Sequence, residues 1–295
     1  MEQGKIKSFD KKNLHYYLIE SKNPKYIVQI AHGMQEYSKT YFEFAEFLAK
    51  NNCIVFMFDQ RAHGKTAGKE NLGKVEGDIF EQTVNDHKFI SKYLIEKYRL
   101  PLILFGHSYG SFISQQYVLE CDLADKVILC GSAYMNVPKI KLAKILTNLL
   151  SKIRGEHKTS LLLENLTLKA YAKRFKNKSG SWITSDEEKT KEFYEDKLNG
   201  QPSSIGFYKY MFNHQVKLYK KQILLNAKNN AKIYIVSGDR DVIGENGKLV
   251  KRLYNTYKKH GFNVTMNLYP NLRHGLVQEV NRKSIFKDLL KYINK

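Results

Sequence analysis

The chain has 295 residues, 42% of them hydrophobic, with 49 Lys and Arg against 29 Asp and Glu. That is enough apolar material for one large domain or a domain with a sizeable insertion, while no apolar run nears the ~18 residues a membrane span needs. The formal charge of +20 raises nucleic acid as a partner, yet no nucleic-acid-binding motif and no compact basic tract with interleaved aromatics is present, and arginine is scarce beside lysine.

In chain order, residues 4–20 read as two short strands around a turn at Asp10 to Asn13. The β-branched run 25–32 is a strand ending in His32-Gly33, 41–51 has helical periodicity, and 53–59 is a buried strand ending at Asp59. Residues 83–98 carry apolar side chains at helix spacing, 101–105 is a strand, 111–120 a helix and 126–130 a strand. After a long gap come a strand at 232–238, a helix at 245–261 stopped by Gly261, a strand at 263–270 and a closing helix at 284–294. Strands alternating with helices predict an α/β fold with a mostly parallel sheet, and the near-continuous apolar strands agree. The alternation breaks between about 134 and 215, which predicts a helical cap inserted into a core made of 1–133 and 216–295. An insertion at a strand's C-terminal end sits over the ligand crevice of such a fold.

Cys53, Cys121 and Cys130 show no CxxC spacing, so buried free thiols are expected rather than a disulfide or a metal site. The first twenty residues lack the apolar core of a signal peptide, and the expectation is a cytoplasmic protein.

Gly106-His107-Ser108-Tyr109-Gly110 fits G-x-S-x-G between a buried strand and a helix, the context of a nucleophile elbow. The turn strains its central residue, so the flanking positions must lack bulk. A serine hydroxyl needs a base, and the chain order expected behind such an elbow is serine, acid, histidine. Two histidines come late in the chain. His260 ends a lysine-rich helix, whereas His274 follows a strand and precedes Gly275, so His274 is the expected base. The acid is Asp239 or Asp241, both just beyond the strand 232–238; the residue next to the strand suits turn capping. The oxyanion hole is expected from the backbone N–H of Tyr109 and of Met34, with Gly33 allowing close backbone approach.

These segments together resemble the monoacylglycerol lipase and lysophospholipase branch of the α/β-hydrolases, also grouped as serine aminopeptidase-like. His32-Gly33-Met34 with Glu36, Ser38 and Tyr41 is similar to the family's HGxxEHSxRY segment, and Phe58 to Thr66 to its DxRGHGxS/T segment. Gly106 to Gly110 matches GHSxG, Gly238 to Asp241 matches a GxxD acid motif, and Arg273-His274 matches RH. Trp182 to Asp186, Asp196 to Gly200 and Phe207-Tyr208 resemble the insertion of bacterial members. Tyr37, Thr40, Ala62 and Gly275 depart from the pattern, standing where the family has histidine, arginine, glycine and often glutamate.

The resemblance implies an α/β-hydrolase fold, a mostly parallel eight-stranded sheet flanked by helices with a helical lid. It implies Ser108, Asp241 and His274 as the catalytic set, Met34 and Tyr109 as oxyanion donors, and Gly33 and Glu36 near the substrate, with no metal or organic cofactor. The implied activity is hydrolysis of carboxylic esters of single-acyl lipids, monoacylglycerol or lysophospholipid. An aminopeptidase or an acyltransferase would use the same triad, although an aminopeptidase calls for an acidic group in a lid that is mostly basic. A catalytically idle binding protein is the alternative outside enzymes. His32, His63 and His107 are expected to brace loops, as are Asp59 and Arg61.

Residues 137–153 place Val137, Ile140, Ala143, Ile145, Leu146, Leu149, Leu150 and Ile153 largely along one side of a helix. From 137 to 178 eleven Lys or Arg stand against Glu156 and Glu164. A basic amphipathic helix can lie in a membrane interface, which suggests peripheral contact with anionic lipid. The alternative is a lid helix packed on the core with a solvated lysine face.

Overall fold

A computed structural model describes residues 1–173, 182–227 and 230–295. The strands are β1 (Glu2–Lys7), β2 (Asn13–Ile19), β3 (Tyr26–Ala31), β4 (Cys53–Phe58), β5 (Leu102–His107), β6 (Lys126–Cys130), β7 (Lys232–Gly238) and β8 (Val264–Tyr269). They form one eight-stranded sheet in the order β1-β2-β4-β3-β5-β6-β7-β8. β1, β2 and β4 pair antiparallel, and every pairing from β4 through β3 to β8 is parallel.

The helices are α1 (Phe42–Lys50), α2 (Gly64–Ala67), α3 (Ile79–Tyr98), α4 (Tyr109–Glu120), α5 (Val137–Arg154), α6 (Leu161–Leu166), α7 (Leu168–Lys173), α8 (Glu187–Glu195), α9 (Ile205–Gln215), α10 (Lys221–Asn226), α11 (Lys248–Lys259) and α12 (Arg282–Asn294). Alternate residues of a strand serve opposite faces. In β5, Leu102 and Leu104 join Phe80, Val84, Ile113 and Tyr117 from α3 and α4 on one face. Ile103 and Phe105 join Phe44, Leu48, Phe286 and Leu289 from α1 and α12 on the other. Covered on both faces, the central strands need apolar residues at every position, which is why they read as unbroken runs.

Two helix starts differ from the sequence reading. α3 begins at Ile79 rather than at 83, because the Asp78 carboxylate accepts the Glu81 N–H (3.1 Å) and caps the helix. α11 begins at Lys248 rather than at 245, because Glu245, Asn246 and Gly247 take positive φ of 46°, 52° and 85° and cannot be helical.

Between β6 and β7 the chain carries α5 to α10. Asn136 caps α5 by accepting the Lys139 N–H (3.2 Å), with Pro138 in its first turn and Gly155 at its end. The apolar residues of α5 do not share one side, as the spacing suggested. Ile140 is buried and Ala143, Leu146 and Leu150 pack half-buried on the core. Leu142, Ile145, Leu149 and Ile153 are 69%, 65%, 53% and 71% exposed and form an outward ridge. The apolar arc is simply wider than the contact the core offers. Of the basic residues counted along this stretch, 174, 176 and 178 lie outside the described residues. Among the described residues no helix is long and apolar enough to cross a membrane.

Candidate active site

The parallel strands deliver the sequence-selected residues to one end of the sheet. β3 leads into Gly33 and Met34, β5 into Ser108, β7 into Asp241, and the loop after β8 carries His274. Gly33, Met34, Ser108 and His274 border a cavity of about 260 Å³ that also meets α4, the segment after β6, and α6 to α9.

Ser108 sits at the strand-to-helix turn with φ 52° and ψ −116°, a strained conformation for a residue with a Cβ. The flanking glycines are required by packing. A Cβ on Gly106 would overlap the Ser114 hydroxyl, and one on Gly110 would overlap the carbonyls of Ala31 and His32. The elbow is thus wedged against the end of β3. Its serine half-faces the cavity, while its N–H donates to the Cys130 carbonyl (3.0 Å).

His274 is 1% exposed and its Nδ1–H donates to Asp241 Oδ2 (2.9 Å). That bond leaves Nε2 as the ring nitrogen available to take a proton, and among the described residues Nε2 has no hydrogen-bond partner. Asp241 is fully buried. Its Oδ2 also accepts the Ser237 hydroxyl (2.8 Å), and Oδ1 accepts the Ile243 N–H (2.9 Å). Burial alone would raise the Asp241 pKa, but the electrostatic attraction and hydrogen bond of the His274 imidazole, with the Ser237 and Ile243 donors, outweigh it and hold the carboxyl below its usual range. Asp239 points elsewhere: its Oδ1 accepts the Asn271 N–H (2.7 Å), a turn-capping bond. His260 ends α11 with Nδ1–H donating to the Thr256 carbonyl (2.8 Å), far from this group of side chains in role.

Among the turn, loop and cap hydrogen bonds of the described residues, none uses the N–H of Met34 or of Tyr109. Both residues line the cavity beside Ser108, and Tyr109 is the first residue of α4, where backbone N–H groups point outward and favour negative charge. Gly33 and Glu36 line it too. A Cβ on Gly33 would stand 3.2 Å from Ser108 Cβ and collide with the Glu36 carboxylate. Glu36 Oε1 accepts the Gly33 N–H (2.6 Å) and the Tyr41 hydroxyl (2.5 Å), with His107 Nδ1 at 3.2 Å. Burial would raise the Glu36 pKa, yet the hydrogen bond and charge of His107 and the Tyr41 hydroxyl bring it to about 2. Its carboxylate braces the loop before it can serve a ligand.

The other histidines brace as expected. His32 Nε2 accepts the Gln60 N–H (2.8 Å), which fixes Nδ1–H on the Gly33 carbonyl (2.8 Å). His63 reaches the Arg61 carbonyl, and His107 Nε2 reaches that of His274 (3.3 Å). Ala62 has φ 63°, a left-handed position that explains a glycine there in the pattern it departs from.

Burial pushes the His32 and His87 pKa values down to about 3 and that of His63 to about 4. An unfolded histidine titrates near ~6.5. Each of the three therefore contributes stability that is complete above that value and is lost as pH falls toward the folded value. Asp59 acts the other way, since burial lifts it to about 6 and its contribution grows as pH falls through that value. Three histidines outweigh one aspartate, so the urea midpoint should drop between neutrality and about pH 5. A midpoint that holds or rises across that interval contradicts this assignment.

Sequence reading missed two polar cap residues. Glu164, on α6, lines the cavity and its Oε1 accepts the Tyr208 hydroxyl (2.7 Å) and Gln35 Nε2–H (3.1 Å). Gln215, on α9, lines it with a buried Oε1 that has no partner among the described residues. An acid inside a basic stretch was the one available signal for Glu164. Among the described residues no group of three or more His, Cys, Asp or Glu is placed to hold a metal ion.

Residues 22–281 match the family described as serine aminopeptidase, S33. The chain is 25% identical over 278 residues to a monoglyceride lipase homolog of monkeypox virus, covering 92% of this chain and 90% of that protein. It superposes on a thermostable carboxyl esterase from Bacillus coagulans, solved with glycerol, at a TM-score of 0.88 and 26% identity, covering 99% and 97% of the two chains. A monoglyceride lipase from Saccharomyces cerevisiae shares the fold at a TM-score of 0.80 and 20% identity, covering 99% and 94%. With the elbow, the strand order and a match over most of its length, the chain belongs to the serine aminopeptidase S33 family of α/β-hydrolases.

Proposed function

We propose that the protein hydrolyses carboxylic esters of single-acyl lipids, with a monoacylglycerol as the preferred substrate, through an acyl-enzyme on Ser108. The observation that carries this reading is the buried Asp241–His274 pair, whose Nε2 is unpartnered in the cavity that Ser108 borders. In this mechanism His274 takes the Ser108 proton as the hydroxyl attacks the ester carbonyl, and Asp241 holds the ring and stabilises its charged form. The N–H groups of Met34 and Tyr109 bind the oxyanion. The protonated His274 then gives its proton to the leaving alcohol, and water, activated by the same ring, releases the acid.

The cavity supports the substrate class. At about 260 Å³ it lies just below the ~300–1,000 Å³ usual for small-molecule sites, which suits one acyl chain rather than two. Phe112, Met135, Met211, Phe212 and Ile243 supply an apolar wall. Glu164 supplies an acceptor suited to head-group hydroxyls and opposed to a phosphate, which favours a glycerol ester over a lysophospholipid. The same carboxylate supports a second reading. A cap acid can receive a substrate ammonium, so an aminopeptidase can no longer be set aside on the charge of the cap alone. The outer ridge of α5, with Lys141, Lys144 and Lys152 beside it, suits contact of a cap spanning 134–215 with an anionic lipid surface.

A hydrolysis panel tests these readings together. Monoacylglycerols, lysophospholipids and aminoacyl amides would be compared, with the lipids presented in neutral and in anionic vesicles. The expected result is fastest cleavage of monoacylglycerol, accelerated on anionic vesicles at low salt. Preference for the amides overturns the ester reading, and equal rates on the two vesicle types overturn the surface reading.

A further inference from the structure

The loop that carries His274 is held from the cap as well as from the sheet. Gly275 N–H donates to the Ile183 carbonyl (2.6 Å), Arg273 Nη1–H to the Thr184 carbonyl (2.9 Å), and the Thr184 hydroxyl to the Gln278 carbonyl (2.9 Å). The Trp182 ring lies over the His274 imidazole, with centroids 5.3 Å apart and planes inclined by 30°. A Cβ at residue 275 would stand 3.0 Å from Ile183 Cγ2 and 3.2 Å from its carbonyl oxygen. The glycine that departs from the family pattern is therefore what lets this cap segment come so close.

Glu279 joins the two segments. It is fully buried, and its Oε1 accepts the Arg273 N–H (2.8 Å) from the residue before His274. Its Oε2 accepts the Ser185 N–H (2.9 Å) and the Ser185 hydroxyl, with the Thr184 hydroxyl at 3.3 Å. One carboxylate thus takes donors from the histidine loop on one oxygen and from the cap on the other. A buried carboxylate satisfied by such a network depends on all its donors staying in place, so displacement of residues 184–185 would leave Glu279 underpaired and free the backbone next to His274.

We propose that Glu279 is a positioning residue for His274, and that cap residues 182–186 form a fixed root of the cap which sets where the catalytic base stands. The proposal rests on the Ser108–His274–Asp241 reading above. Asp241 orients the ring through Nδ1, Trp182 limits its tilt, and Glu279 holds the main chain that carries it.

The test is Glu279→Gln in the full chain, assayed on p-nitrophenyl acetate with rates normalised to fluorophosphonate-titrated sites. A misplaced base costs turnover rather than binding of a small ester, so kcat should fall about 10²-fold while KM changes little. The downfield proton resonance of the His274–Asp241 hydrogen bond should shift or broaden. Glu279→Asp should recover part of the rate, and Ser185→Ala, the milder variant that keeps the carboxylate, should lose about 10-fold. A lower melting temperature with unchanged kcat per titrated site and an unchanged resonance overturns the proposal. If Glu279→Gln does not fold, an unchanged kcat in Ser185→Ala overturns it equally. Failure of the wild-type protein to label with fluorophosphonate would instead refute the triad, which separates the two.

Discussion

Replacing Ser108 with alanine is expected to lower turnover on a small aryl ester by on the order of 10⁵- to 10⁶-fold and to abolish fluorophosphonate labelling. Among the described residues that line the cavity, no other serine and no cysteine is present to take over as nucleophile. Cys130, whose carbonyl accepts the Ser108 N–H, is buried, and burial with the nearby Asp241 and Glu36 charges pushes its thiol pKa far up, so it supplies no thiolate. Asp241→Asn should cost about 10⁴-fold, because an amide in place of the acceptor favours the wrong tautomer of His274. Asp239→Asn should leave the rate within a few-fold, since its carboxylate caps the turn at Asn271 and does not meet the histidine. Wild-type labelling intensity in Ser108→Ala would remove the nucleophile assignment. A loss in Asp239→Asn as large as in Asp241→Asn would remove that of the acid.

The contrast between those two aspartates shows what sequence can carry. β7 was legible to the residue because it is a buried parallel strand, and the acid had to lie just past it. Two residues separate Asp239 from Asp241, and no periodicity rule says which of them a turn sends inward. The choice came from the family pattern. Ser108 and His274 were easier, since each follows a strand that ends at the crevice. α5 was legible as a helix and not as a surface: an apolar arc that broad has an inward and an outward half, and only the packed neighbours decide which is which. Glu164 and Glu279 were out of reach for another reason. Gln35 and Glu164 are 129 positions apart, and Ser185 and Glu279 are 94 apart. Each carboxylate acquires its meaning from donors that only the fold brings to it from distant parts of the chain.

Arg61→Ala is expected to destabilise the fold by about 3–5 kcal/mol without changing turnover per folded molecule. The guanidinium makes four bonds of 2.7 Å. Nε and Nη2 donate to the two oxygens of Asp86, and Nη1 and Nη2 to the two of Asp10. Asp86, on α3, is fully buried and also accepts the Ser8 hydroxyl, while Asp10 lies in the turn between β1 and β2 and is partly open to water. One side chain therefore ties the sheet's antiparallel edge, the loop after β4 and the longest core helix together. Burial already lifts the Asp86 pKa in spite of Arg61; with the cation gone, a fully buried carboxylate has no opposite charge and must take up a proton or unfold. Asp10→Asn, at the wetter arm, should cost no more than ~1 kcal/mol. Arg61→Met combined with Asp86→Leu should recover much of the loss, because the penalty lies in the orphaned charge and not in the missing ion pair. Urea midpoints of the four proteins test this. A midpoint for Arg61→Ala equal to wild type would show the network to be slack. A folded Arg61→Ala protein with lost turnover would move the Phe58 to Thr66 segment from scaffold to active site, against a geometry in which the Arg61 guanidinium, among the described residues, donates to Asp10 and Asp86.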